Sequence, residues 1–291
     1  MEAADAPTAA SRRSSLARPP MIVIEGGRGR LRWSSIREVW AYREVLWAFL
    51  VRYVKVKYKQ AAVGVGWAVL QPLLLAGVFA IFLGRYAHVP SEGAPFILFA
   101  LAGLVPWTFF ASAAAAGMES VVKDQGLLGK VYFPREVLPL GAAGAALVDL
   151  VPGIVLLLVF SVAFGIAPGI TWLALPLPIV ILIVSAGVLS LGFSGLNVYY
   201  RDVRHALPFV LQFLLFASPV VYPLGKVPGS IRTVYAIVNP VALAVDGIRR
   251  IVLHHRWPSA LSFAALAWAC VLLVLAYSLF KRLERGFADR V

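Results

Sequence analysis

Acidic side chains are scarce in this sequence. Its 291 residues hold 14 Asp and Glu against 27 Lys and Arg, a formal charge of +13, and only four histidines and one cysteine. The lone Cys270 lies in an apolar run and cannot form an internal disulfide. The acids are scattered, and no HExxH, CxxC or GxSxG pattern occurs, so neither a metal site nor a nucleophile is indicated. The phosphate-loop pattern also fails: Gly129-Lys130 is followed by Val131, and position 124 is Asp. The positive charge does not point to nucleic acid, because the basic residues flank apolar runs and form no stripe with stacking aromatics.

What the chain does have is long apolar sequence. It is 60% hydrophobic and 14% charged, where a soluble domain averages about 25% charged. The stretch 50–84 changes character midway. Arg52, Lys55, Lys57 and Lys59 crowd its first part, and from Gln60 to Gly84 there is no charge. About 20 apolar residues cross a hydrocarbon core, and a basic block against such a run marks its cytoplasmic side. The same reading along the chain predicts an all-α membrane protein with six spans, near 62–84, 94–118, 138–164, 171–198, 206–225 and 258–280. A tight turn near Gly165 to Thr171 separates the third from the fourth. The basic residues divide 21 to 6 between alternate sides, which predicts both termini in the cytoplasm of a multi-pass inner-membrane protein.

Residues 1–33 are rich in Ala, Ser, Pro, Arg and Gly and read as a disordered or irregular cytoplasmic tail. Ser34 or Ser35 is the expected cap of an amphipathic interface helix over 34–60. Arg37, Glu44, Arg52, Lys55 and Lys59 share one sector of that helix, with Leu46, Trp47, Leu50 and Tyr53 largely opposite. Residues 61–291 form the transmembrane domain. Between spans five and six, Pro228-Gly229-Ser230 starts one short helix and Asn239-Pro240 caps a second. These two lie on the outer surface or re-enter the membrane.

Four groups of residues stand out. In the 119–136 loop, Glu119, Lys123, Asp124, Lys130 and Arg135 flank apolar Leu127 and Leu128, a knob with a charged rim suited to a partner's groove or else a solvated loop. Arg201 and Asp202 form a second such contact, or an interfacial ion pair beside Tyr200. Asp149 is the one ionisable group inside spans three and four, and it lines a channel or bonds a neighbouring helix. Gln71, Trp107, Phe109 and Phe110 are channel-lining candidates; the aromatics would stack on sugars or pack against other spans. Arg249, Arg250, His254 and Arg256 form an outer basic group, positioned for a diphosphate or for lipid headgroups.

Several segments resemble one family in order. They are RYVKVKYKQAAVGVGWAVLQPLL at 52–74, LAGLVPWTFF at 101–110, KVYFPREVLPL at 130–140, NVYYRDVRHALPF at 197–209, SPVVYP at 218–223, NPVALAVDGIRR at 239–250 and ERGFAD at 284–289. Together they resemble the ABC-2 type permeases that export O-antigen, capsule and teichoic-acid polysaccharides. The resemblance covers roughly residues 35 to 290. It implies a homodimer with two copies of a separate ATP-binding subunit, which carries the ATP and Mg²⁺, and no cofactor or enzyme site in this chain. It implies a polyprenyl-diphosphate-linked glycan as substrate; drugs or small lipids are the alternative. It further implies that the 119–136 loop holds a coupling helix and that the segment after span five forms outer gate helices.

Overall fold

The computed structural model describes residues 40–59, 64, 66–128 and 132–287. The 1–33 tail, the Ser34 or Ser35 cap and Lys130 lie outside the described residues. Among the described residues every regular element is helical. In chain order they are α1 (Arg43–Tyr58), α2 (Gly66–Phe79), α3 (Phe96–Lys123), α4 (Gln125–Leu128), α5 (Val137–Ala145), α6 (Leu147–Ala163), α7 (Pro176–Tyr199), α8 (Val203–Ala217), α9 (Gly229–Val238), α10 (Pro240–Val252) and α11 (Leu261–Glu284). A wider-wound segment with i→i+5 bonds, Ala80–Tyr86, extends α2, and a 3₁₀ segment, Ile170–Ala174, leads into α7.

Five stretches are long and apolar enough to cross a membrane: Gly66–Tyr86, Phe96–Lys123, Val137–Ala163, Ile170–Tyr199 and Leu261–Glu284. Where 206–225 was expected to span, α8 has 15 residues and stops before Ser218-Pro219, because Pro219 cannot continue the backbone ladder. The chain then forms α9 and α10, which meet at 103° and supply a sixth crossing only if counted as one bent span. The bend follows from Asn239, which ends α9 and caps α10: its side-chain oxygen accepts from the Ala242 amide, with Pro240 at the first helical position. Val137–Ala163 is offset by a single residue, Ala146, between α5 and α6. At the predicted 165–171 turn, Gly165 has φ +84°.

α3 is the centre of the bundle. It is 28 residues long, about 42 Å at 1.5 Å per residue, and is buried along most of its length. Small residues let neighbours reach its backbone. At Gly117 the side chain of Ser190 occupies the place a Cβ would take, and Ser190 donates to the Ala113 carbonyl at 3.1 Å. One turn or so further on, Asn197 donates to the Met118 carbonyl at 3.2 Å, so α7 is fixed along α3. Large apolar side chains such as Leu74, Phe82, Val155, Val159, Phe213 and Phe216 stay exposed on the outside, as a surface meeting hydrocarbon requires.

Candidate functional site

The charged groups gather at two ends of the bundle. At the first, α1 lies against α5 because Gly141 and Gly144 leave room for Leu46, Phe49 and Leu50. Phe49 also stacks on Phe133, ring centroids 5.3 Å apart. With that face inward, Arg52 stays half-exposed at its edge. It turns to Asp124, Nη2 to Oδ1 at 2.7 Å, while Trp47 stays exposed. Tyr53 donates to the other oxygen of Asp124. Burial and that hydrogen bond hold the Tyr53 phenol above the usual tyrosine range.

Asp124 was expected on a charged rim. It is instead buried at the break between α3 and α4 and faces α1. Glu119 pairs with Lys123 one turn along α3. Leu127 and Leu128 on α4 are half-buried against the cluster of Val121, Phe133 and Val137. Arg135 donates to the Glu284 carbonyl at 3.0 Å and lies over the Phe287 ring. Arg201 and Asp202 are exposed.

Asp149 is not isolated among apolar residues. Lys57 and Tyr58 of α1 both bond its carboxylate, so it holds a neighbouring helix. It also lines a small cleft with Gln71, Trp67, Thr108 and Ser112. Ser112 continues into a larger cleft of about 470 Å³, walled by α1 on one side and by the small residues Ala116, Ala142 and Ala145 on the other, with Arg52, Lys57 and Lys123 among its lining. Of the channel candidates, Gln71 is exposed and borders this region. Trp107, Phe109 and Phe110 do not join it: they are buried within the bundle, where Trp107 and Phe110 pack ring on ring at 5.4 Å.

One acid here escaped the sequence reading. Glu136 is fully buried, accepting from Tyr277 at 2.9 Å and from Lys281 at 2.7 Å, and Lys281 also meets Glu284. The 119–136 loop is therefore fastened at both ends, by Asp124 to α1 and by Glu136 to α11. A signal was present: an acid beside an apolar run, here Glu136 before VLPL, needs a partner.

At the other end the expected basic group comes apart. Arg249 is enclosed, 2% exposed, and all five of its N–H donors meet carbonyls: Phe99 twice, Pro219, Val220 and Tyr222. Its plane lies 3.6 Å from the centre of the Phe99 ring. Gly103 is needed beside it, since a Cβ there would collide with the Val220 carbonyl and this guanidinium. Arg249 thus turns inward and presents nothing to a phosphate, the reverse of its expected exposure. Arg250 lies 3.8 Å from Asp246, and His254 Nε2 lies 3.4 Å from a Glu92 oxygen. Arg256 is exposed. No group of three or more His, Cys, Asp or Glu able to hold a metal ion occurs among the described residues.

The family model for ABC-2 type transporters matches residues 44–253, from α1 to the end of α10. The chain belongs to the ABC-2 transporter family. This ABC-2 domain is 31% identical over 260 residues to the O-antigen export system permease protein RfbA of Myxococcus xanthus, covering 88% of this chain and 98% of that protein. It is 26% identical to the O-antigen export permease RfbA of Klebsiella pneumoniae, over 81% of this chain and 90% of that one. It is 25% identical to the polysialic acid transport protein KpsM of Escherichia coli, over 82% and 93%. The ABC-2 match includes α1, both ends of the 119–136 loop and Arg249, so the Asp124, Asp149 and Arg249 contacts fall inside the family region.

Proposed function

We propose that this chain is the membrane subunit of an exporter that moves a polysaccharide carried on a polyprenyl diphosphate, of O-antigen, capsule or teichoic-acid type, across the cytoplasmic membrane. The observation that carries this reading is the likeness to O-antigen export permeases along 88% of the chain. A separate subunit binds and hydrolyses ATP, and two copies of each chain form the complex. Neither terminus crosses the membrane: the basic bias places 1–61, 119–136, 201–205 and 281–291 in the cytoplasm. The ATPase docks on α4, where Leu127 and Leu128 form an apolar step beside Glu119 and Lys123, with Arg201 and Asp202 as a second contact. Asp124 and Arg135 then hold this turn in place from behind, and Lys130 stands within the same loop. On the outer side, α9 and α10 dip back as a re-entrant pair, with Arg250, His254 and Arg256 near the exit.

The substrate class is tested by depleting the protein in its own cell and measuring polyprenyl-linked glycans by mass spectrometry, leaflet by leaflet. One lipid-linked polymer is expected to build up on the cytoplasmic side while its surface form disappears. Unchanged surface polymer with no accumulated glycan lipid would exclude the polysaccharide and favour a drug or small-lipid substrate.

A further inference from the structure

The interface helix carries the same dipeptide twice. A base followed by tyrosine stands at Arg52-Tyr53 and again, five residues on, at Lys57-Tyr58. Each dipeptide grips one carboxylate with both side chains. Arg52 takes Oδ1 and Tyr53 takes Oδ2 of Asp124; Lys57 takes Oδ2 and Tyr58 takes Oδ1 of Asp149. The two acids belong to different parts of the chain: Asp124 closes α3 where the α4 turn begins, and Asp149 is in the first turn of α6. Five residues rotate a helix by about 140° beyond a full turn, so the two grips face different neighbours.

Exposure divides these contacts from the rest of the polar network. The bases stay half-exposed, Arg52 at 48% and Lys57 at 46%, while Asp124 and Asp149 are 6% and 16% exposed. Water reaches each base, so a base leaves its partner at small cost. The carboxylate left behind is shielded and needs a new partner. The Glu136 carboxylate, fully buried, has no such freedom. The two grips also border neighbouring clefts: Arg52, Tyr53, Lys57 and Asp124 line the larger, Lys57, Tyr58 and Asp149 the smaller, and Lys57 and Ser112 line both.

We propose that α1 is a lever fastened at two points, and that Lys57, Tyr58 and Asp149 are positioning residues that carry movement of the α4 turn into α6. Movement of α4 pulls Asp124, Asp124 turns α1 through Arg52 and Tyr53, and the second grip hands the displacement to Asp149. Asp149 then serves transport through the helix it holds. This inference rests on the proposed docking of a separate ATPase at α4.

The test uses the whole complex, with Cys270→Ser removing the native thiol and Ser112→Cys as a reporter at the junction of the two clefts. Maleimide labelling of that cysteine is timed with and without a non-hydrolysable ATP analogue, and export and ATP hydrolysis are measured in parallel. In the reporter complex the analogue is expected to change the labelling rate about fivefold or more. Asp149→Asn and Lys57→Met are expected to remove that response and most of the export, while ATP hydrolysis and recovery of the assembled complex stay unchanged. The exchange Lys57→Asp with Asp149→Lys is expected to restore response and export together. Labelling that ignores nucleotide in a complex that still exports would overturn the lever alone and leave the transport reading intact. So would Asp149→Asn with full response and full export. An Asp149→Asn complex that falls apart and is not rescued by the exchange shows a structural role and also overturns it. A reporter complex without ATP-dependent export fails the functional reading, and the lever with it.

Discussion

The two ends of this bundle solve the problem of charge near a membrane in opposite ways. At the α1 end, half-exposed bases meet carboxylates across helices: Arg52 with Asp124 and Lys57 with Asp149. At the other end, Arg249 meets no carboxylate directly, and four backbone carbonyls and a phenyl ring enclose it. A pair at the α1 end parts more readily than an enclosed one, since water competes for its half-exposed base. An enclosed guanidinium with every donor satisfied is costly to disturb, because its loss leaves several buried acceptors without partners. The first kind of contact suits a place that must move. The second suits a joint that must hold the start of α3, the Ser218–Tyr222 turn and α10 in one arrangement.

Breaking the rigid joint has the largest expected effect. Arg249→Ala should cost about 3–5 kcal/mol, and Arg249→Lys should recover only part of it, since an ammonium lacks the planar five-donor fork. Thermal unfolding of the detergent-solubilised protein checks both. Gly103→Ala should fail in the same assay, because the Val220 carbonyl is backbone and cannot swing aside. The middle case is Glu136, buried like Arg249 but paired like Asp124. Glu136→Ala removes the carboxylate that accepts from both Tyr277 and Lys281, a loss of about 1–3 kcal/mol by the same measurement. The smallest effect on stability belongs to the exposed contact candidates. Arg201→Ala should leave the unfolding temperature unchanged and lower the recovery of ATPase with the purified protein. A stability loss at Arg201 equal to that at Glu136 would erase the contrast between exposed and buried charges.

The legible parts of this molecule were those set by short-range rules. The apolar runs gave five long helices near the expected positions, and Asn239-Pro240 gave the start of α10. Within the predicted 206–225 span the apolar run continues past α8, but Ser218-Pro219 ends the helix. The candidate site was less legible. Leu127 and Leu128 are half-buried and Arg201 and Asp202 exposed, whereas Asp124 and Arg249 turn inward. The helical wheel of α1 put Arg52 in the exposed sector, where it stays half-exposed, but a wheel does not show that it reaches the Asp124 carboxylate.

By itself the sequence determined that this is an all-α, multi-pass membrane protein of the ABC-2 family, and roughly where its long helices lie. Those properties follow from hydrophobic length, capping residues and proline, which act within a few residues of one another. Only the tertiary structure decided which charges meet. Arg52 and Asp124 are 72 residues apart, Lys281 and Glu136 are 145 apart, and Arg249 and the Phe99 carbonyl are 150 apart. With 27 bases for 14 acids, many pairings satisfy composition equally well. The packing of small residues, Gly103 under Arg249 and Gly141 and Gly144 under α1, selects the few pairings in which a charge removed from water finds a partner.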